Sequence, residues 1–516
     1  MRSRKALLSF VLNTIAQIIN TIFAIIVRKL FFLRLGADLL GLNSLFSSVI
    51  LYLSISELGI GQSVAMCLYR PLAEHRTDKV QSYMQFLKKM YYRIGMAILL
   101  VGGLIAPFIY RFTDVSYSKD YIAIAFAINV FSTAIMYFFS YKKILLSADQ
   151  RNYVLSAIQI GYKLILNLSQ IWILIYFSNY YFFLIVILLC NLGENIVSSL
   201  YFNKRYYFIN KKNEQCITLD TEEKQDIFEK IKGLLLYKVS EYVIQGTDNI
   251  VISAILGSVY VAYYSNYSLI IMVLFSVFSH IGYSSMSGLG NILYSDKQNL
   301  TGSFSNLLFI QHLAFSITSC CFLCLSNTFI KIVYGAEYVI GLAPVILLTL
   351  VYDLRGYSFG LESLRNSAGL YKEDKYWNIF CAVINIILSV ILAYKFGLSG
   401  IIIGTLFSYI IKELIILPRI VFEKILPKNK IYWYYSKFAV HFFITLLTGS
   451  LLFWIHSYLD YDSNIIIWGI DAIISVMFIL LINIILFHKT REFKYFLDIV
   501  IRNFNIFNKI KAKMHE

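Results

Sequence analysis

Fourteen apolar runs of about twenty residues, the length that crosses a bilayer's hydrocarbon as a helix, recur along the chain. They are centred near residues 17, 50, 102, 133, 165, 191, 245, 274, 318, 353, 386, 409, 447 and 476. In hydrocarbon a lone run of this kind satisfies its own N–H and C=O groups only as a helix. The pattern therefore predicts an all-α polytopic membrane protein with about 14 transmembrane helices. Composition agrees, at 58% hydrophobic and 15% charged, whereas a soluble protein carries about a quarter charged residues. The first run, Ala6–Val27, holds Asn13, Gln17 and Asn20 and no small-residue cleavage site follows it, so it reads as a retained helix and not a signal peptide.

The net charge of +16 would suit nucleic acid if it were clustered on one surface. Instead the charges punctuate the apolar runs, which is how topology is encoded, so no nucleic-acid partner is expected. Of the 46 Lys and Arg residues, 36 fall in alternate connections, counting Lys238 at the inner end of span seven, and 7 in the intervening ones; the other three, Lys163, Arg355 and Lys412, lie within spans. The richer side is the cytoplasmic one, with both termini there. Gly233–Gly257 is the weakest span, since it carries Lys238, Glu241, Gln245, Asp248 and Asn249. Each ionised group at a helix centre costs roughly 2.5–3.5 kcal/mol on insertion scales. Were it not to cross, the 16 basic residues of the later cytoplasmic connections would lie outside. It must cross. Glu241, Gln245 and Asp248 then share one helix face, turned toward protein or water.

Five parts follow: 1–203, an N-lobe of spans one to six; 204–233, a cytoplasmic connection with an amphipathic helix; 234–418, a C-lobe of spans seven to twelve; 419–487, spans thirteen and fourteen; and 488–516, a basic amphipathic tail. In the connection, Asp220-Thr221-Glu222-Glu223 has the pattern of a capping box and leads into Ile227, Ile231, Leu234 and Leu235 at helical spacing. That spacing predicts a helix lying on the membrane before span seven begins, and Thr77–Tyr92 and the segment from Lys489 read as two more. The halves echo one another. Leu35-Gly36 precedes span two and Leu256-Gly257 precedes span eight, and upstream of each lies a polar triplet spaced four then three: Asn13, Gln17, Asn20 and Glu241, Gln245, Asp248.

No motif for covalent chemistry appears. A P-loop requires Gly-Lys, a dipeptide absent from the chain, and the seven histidines lack metal-ligand spacing. The cysteines, including Cys321 and Cys324 of a C-x-x-C, sit mostly in apolar runs and read as small buried hydrophobes, without disulfides or metal. Neither a cofactor nor an enzymatic activity is predicted. Connections on the poorer side are only about ten residues long, which argues against a membrane polymerase.

What remains is the intramembrane polar set, functional by default. Gln159, Lys163, Asn167 and Gln170 line one face of span five; Asn191, Glu194, Asn195 and Ser198 cluster in span six; Asp353, Arg355 and Glu362 lie in span ten. Lys163 and Arg355 suit a phosphate or pyrophosphate, or else fix the bundle by ion pairing. Lys412 and Glu413 read as snorkelling helix-end groups. Glu57 is an inner-gate or helix-end carboxylate. Arg28, with Lys29 and Arg34, attracts an anionic headgroup or snorkels.

At these residues a family resemblance enters. Leu35–Glu74 (LGADLLGLNSLFSSVILYLSISELGIGQSVAMCLYRPLAE) resembles the span-two signature of the capsule and O-antigen repeat-unit flippases, within the multidrug/oligosaccharidyl-lipid/polysaccharide exporter superfamily. Thr247–Tyr264 and Phe396–Ser408 resemble its span-seven and span-twelve patterns. The resemblance implies two six-helix lobes around a central cavity formed by spans one, two, seven and eight, plus two further helices. It implies movement of undecaprenyl-pyrophosphate-linked oligosaccharide to the outer leaflet of a bacterial plasma membrane, beside polysaccharide polymerase machinery. Basic cavity residues would hold the pyrophosphate, and a gradient of H+ or Na+ would drive it. Here span seven's stripe is acidic. The expected substrate set is Lys163, Arg355, Asn13, Gln17, Asn20 and Arg28, and the expected ion-coupling set Glu241, Asp248, Glu57 and Glu194. A drug/cation antiporter of the same superfamily and a peptidoglycan-precursor flippase are the alternatives.

Overall fold

A computed structural model of the chain describes residues 2–498 and 501, apart from 58–59, 75, 150, 211–218, 296–299, 369, 371–372, 374 and 459–463. Within its helices, side chains are described except at 2–18, 233–242, 277–295 and a few isolated positions, Gln245 among them. Asn13, Gln17, Glu241 and Gln245 therefore lie outside the described side chains.

The described residues are almost all helical, without a strand. The elements are α1 (Arg2–Leu53), α2 (Ile60–Ala73), α3 (Thr77–Ile105), α4 (Lys119–Ala148), α5 (Asn152–Tyr176), α6 (Tyr180–Arg205), the single turn α7 (Tyr207–Asn210), α8 (Thr221–Ile255) and α9 (Ser258–Ser295). They continue with α10 (Leu300–Val333), α11 (Leu342–Ser367), α12 (Lys375–Tyr409), a π-helical segment Ile410–Ile416, α13 (Leu417–Lys424), α14 (Ile431–His456) and α15 (Ile465–Phe487). Ten stretches among the described residues are long and apolar enough to cross a membrane, and one of them, Tyr376–Lys424, holds two of the fourteen runs. The protein is a multi-pass membrane protein.

The Leu-Gly echo is structural. α1 bends at Gly36, φ +86°, and α8 turns into α9 at Gly257, φ +99°. Side-chain-bearing residues adopt this left-handed region only at a cost, so two consecutive spans reverse with almost no loop where glycine stands. Phe396-Gly397 does the same within α12, at φ +56°.

Contacts divide the chain into residues 1–265 and 266–516. The division expected from the sequence follows the 204–233 connection; the contact division comes later because α8 packs on α1 and α2. In the first unit α3 packs on α4, α4 on α6 and α6 on α5, with α5 against α1. In the second, α10 is the hub, touching α11, α14 and α15. Phe304, Tyr357, Leu361, Val421 and Tyr434 form one core there.

Two expectations are corrected. The amphipathic stretch 221–232 is not a separate surface helix: it continues through Gly233 into span seven as one helix, with no proline to break it. The same holds for Thr77–Tyr92, the first half of α3. Their apolar faces pack on one another, with Ile227 and Ile231 buried, Phe86 against Phe228, and Lys79 2.6 Å from Glu223. That ammonium holds the Glu223 carboxyl below the usual carboxylate range. The capping box forms as read, with Glu223 accepting from the Asp220 N–H. Residues 491–498 of the tail are helical, and Phe493 docks against Phe309 and Phe487 of the second unit.

Candidate functional site

In the first unit, polar groups from both arms of α1 meet α8 and the first turns of α9. The Arg28 guanidinium donates to Ser265 Oγ at 2.5 Å, and Ser44 Oγ donates to the same oxygen at 3.2 Å. One turn along α1, Ser48 Oγ accepts from Asn249 Nδ2 at 2.9 Å. Asp248, only 3% exposed, accepts from the Tyr264 hydroxyl at 2.9 Å. Tyr52 OH reaches the Val243 carbonyl at 3.3 Å. Spans one, two, seven and eight are thus laced along a polar seam. A carboxylate and a guanidinium lie in that one seam, each engaged by a hydroxyl. Sequence reasoning picked out Arg28 and Asp248 but missed Ser44, Ser48, Tyr264 and Ser265, because serines and tyrosines in apolar runs carry no charge signal.

The seam is tightest beside the glycine turns. A Cβ built on Gly41 would overlap the Ser258 carbonyl, so only glycine allows this approach of α1 to α9. Asp114, in the connection between α3 and α4, accepts from the Ser258 N–H at 3.0 Å and the Ser258 hydroxyl at 2.8 Å, capping the start of α9. Burial pushes its carboxyl up, but these two donors outweigh that and leave it below the usual range. Ser253 Oγ donates to the Phe112 carbonyl alongside. Farther down α1, Asn20 is 9% exposed, and its Oδ1 has no hydrogen-bond partner among the described residues.

The other expected residues lie elsewhere. Lys163 and Gln159 are exposed on α5, while Asn167 is half-buried and Gln170 buried. Glu57 accepts from the buried Tyr91 hydroxyl at 2.9 Å. Glu194 pairs with Lys143 of α4 at 2.6 Å, both side chains under 20% exposed. Removing one partner of a sheltered pair strands the other's charge, so Lys143→Ala should cost about 2 kcal/mol, between the exposed and fully buried cases. The double variant Lys143→Met with Glu194→Gln should recover most of it; thermal melting of the purified protein reads both.

In the second unit the Arg355 guanidinium lies 4.9 Å from the Phe275 ring centre and 5.0 Å from that of Tyr409. The two rings hold it by cation–π attraction. Asp353, two residues earlier, accepts from Ser319 at 3.1 Å. Lys412 and Glu413 do not snorkel, which corrects the sequence reading: they are 7% and 5% exposed, 3.2 Å apart. The π-helical segment turns both inward, beside the Arg365–Glu362 pair of α11. Among the described residues no group of three metal-ligating side chains converges.

No family model matches the chain, and no curated protein does. Solved structures do. The lipid II flippase MurJ, in an inward closed conformation, matches over 93% of this chain and 99% of its own, with a TM-score of 0.67 at 16% identity. An inward-facing multidrug resistance transporter of the MATE family, in the MOP superfamily, matches over 82% and 95%, at 0.64 and 14%. A MOP-superfamily transporter from Pyrococcus furiosus matches over 85% and 96%, at 0.57 and 14%. The chain has the fold of these transporters.

Proposed function

We propose that this protein is a flippase that moves undecaprenyl-pyrophosphate-linked oligosaccharide repeat units from the inner to the outer leaflet for surface polysaccharide assembly. It works by alternating access, coupled to a gradient of H+ or Na+ across a bacterial plasma membrane. The observation that carries this reading is the extent of the likeness: the flippase structure is matched over 93% of the chain, the multidrug transporter over 82%. The sequence signatures of the repeat-unit flippases point to the oligosaccharide and away from a peptidoglycan precursor.

In this reading Lys163 and Arg355 meet the pyrophosphate, with Arg28 attracting it, and Asn13, Gln17 and Asn20 contact the glycan. Asp248 and Glu241 serve the ion, with Glu57 and Glu194 as further candidates. Arg355 supports its role by offering a guanidinium held in place by rings, with no conformational search left to make. Asp248 supports its own by being a buried carboxylate that accepts a hydrogen bond from the Tyr264 hydroxyl.

Deletion of the gene in its native host is the test. Lipid-linked repeat units should accumulate on the inner leaflet, and surface polysaccharide should fall at least tenfold. Unchanged surface polysaccharide with no accumulation sinks the proposal, and a gain in susceptibility to cationic drugs instead would favour the antiporter.

A further inference from the structure

A second, separate site lies in the first unit, away from the seam. Met84, Gln85, Lys88, Lys89, Tyr92 and Arg93 recur along α3 at i, i+4 and i+8 in two adjacent rows, so they share one helix face of more than two turns. That face lines a cleft of about 580 Å³ closed by Tyr141 of α4 and Ile209 of α7. α7 is tied to α3 by the Gln81 amide, which reaches the Ile209 carbonyl at 3.5 Å. Lys142, next to Tyr141, stands behind the cleft, bonded to Ser199 and, at 3.2 Å, to Asn203.

Among the described residues the charge of this cleft has no internal answer: none of those lining it is a carboxylate. Four other basic residues of this unit are matched: Arg76 with Asp78, Lys79 with Glu223, Lys143 with Glu194, Arg151 with Asp149. Lys88, Lys89 and Arg93 are exposed, and among the described residues none has a carboxylate at ion-pair distance. Lys88 lies 5.9 Å from the Tyr92 ring centre. Lys142 is close enough to Lys88 for the two like charges to repel. Concentrating like charges around a concavity is unfavourable unless an anion occupies it.

Depth identifies the anion's class. The basic face ends at Arg93, and the uninterrupted apolar run of α3 begins at Ile94. The cleft therefore sits where a helix passes from headgroups into hydrocarbon. By the charge pattern this is the cytoplasmic side. A planar guanidinium, two ammonium groups and two tyrosine rings around several hundred Å³ match a phosphate or diphosphate ester in size and donor geometry. Basic pockets between helices at this level hold anionic headgroups. We propose that the α3–α4–α7 cleft binds the phosphate or diphosphate group of an anionic molecule at the cytoplasmic membrane surface, with Lys88, Lys89 and Arg93 as its ligands. This site does not depend on the transport reading.

The experiment uses the full chain, purified in detergent. Native mass spectrometry counts phosphatidylglycerol and phosphatidylcholine adducts, and calorimetry measures inorganic pyrophosphate. The triple variant Lys88→Gln/Lys89→Gln/Arg93→Gln removes the ligands; Lys88→Arg/Lys89→Arg keeps the charge; Lys428→Gln/Lys430→Gln removes exposed charge elsewhere. We expect phosphatidylglycerol retention to fall at least tenfold in the triple variant alone, with phosphatidylcholine unaffected. Pyrophosphate binding lost in the triple variant, without a phosphatidylglycerol effect, would support the same chemistry with a soluble ligand. Equal retention and equal pyrophosphate binding in wild type and triple variant, or an equal loss in the Lys428/Lys430 control, overturns the proposal. Size-exclusion profiles and melting temperatures confirm folding, since the three side chains are exposed.

Discussion

Gly41→Leu is expected to abolish transport while the protein still inserts and accumulates in the membrane. Even a single added carbon overlaps the Ser258 carbonyl, and a leucine adds four. The backbone of α9's first turn cannot retreat freely, because Asp114 holds the Ser258 N–H and hydroxyl. Overpacking a close contact costs about 3 kcal/mol at the upper end of the usual range, and a bias of that size moves an equilibrium by roughly a hundredfold. The seam beside the glycine turns would stay parted, so a transporter that must close there could not complete its cycle. Labelling of Ser258→Cys by a membrane-impermeant thiol reagent, in a background without other cysteines, should rise at least tenfold with Gly41→Leu. Wild-type transport with unchanged labelling would show that this contact is no part of the cycle. Gly41→Ala should show the same effects more weakly.

Asp248→Asn should cut transport at least tenfold and remove its response to an imposed H+ or Na+ gradient. The amide keeps the shape and can still accept from the Tyr264 hydroxyl, so the seam should hold while the negative charge is lost. Tyr264→Phe does the reverse. It keeps the charge but strips a hydrogen bond from a buried carboxylate, at a cost of about 1–3 kcal/mol. It should lower the melting temperature yet leave the gradient response in place. Flipping of lipid-linked oligosaccharide in proteoliposomes, with gradients set separately, distinguishes the pair. If Asp248→Asn responds to the gradient as wild type does, the ion is bound elsewhere, with Glu241, Glu57 or Glu194 next in line.

Much of this fold was legible in the chain because membrane insertion is a one-dimensional problem. Run length gives the helices and the alternation of Lys and Arg gives the crossings, neither needing a tertiary contact. The Leu-Gly echo was legible for a similar reason: at Gly36 and Gly257 a local backbone demand, positive φ, selects the residue. The capping box at Asp220 is local too. What failed were statements about where a side chain ends up among helices distant in sequence. Lys412 and Glu413 read as snorkelling because both stand near a helix end; a π-helical segment turns them inward instead. Thr77–Tyr92 and the start of α8 read as membrane-surface helices, since an apolar face does not say whether lipid or another helix covers it.

The sequence by itself therefore determined the class of protein, its all-helical fold, and which charged residues needed an explanation. Only the tertiary structure decided their partners: Glu194 with Lys143, Glu57 with Tyr91, Asp248 with Tyr264, Arg355 between two rings. The physical reason is separation along the chain. Insertion energy is summed residue by residue along one helix, whereas an ion pair or a hydrogen bond depends on which helix faces meet. Gly41 is the clearest case: in the sequence it is one small residue in an apolar run, and only its contact with a carbonyl more than two hundred residues away shows why a side chain cannot stand there.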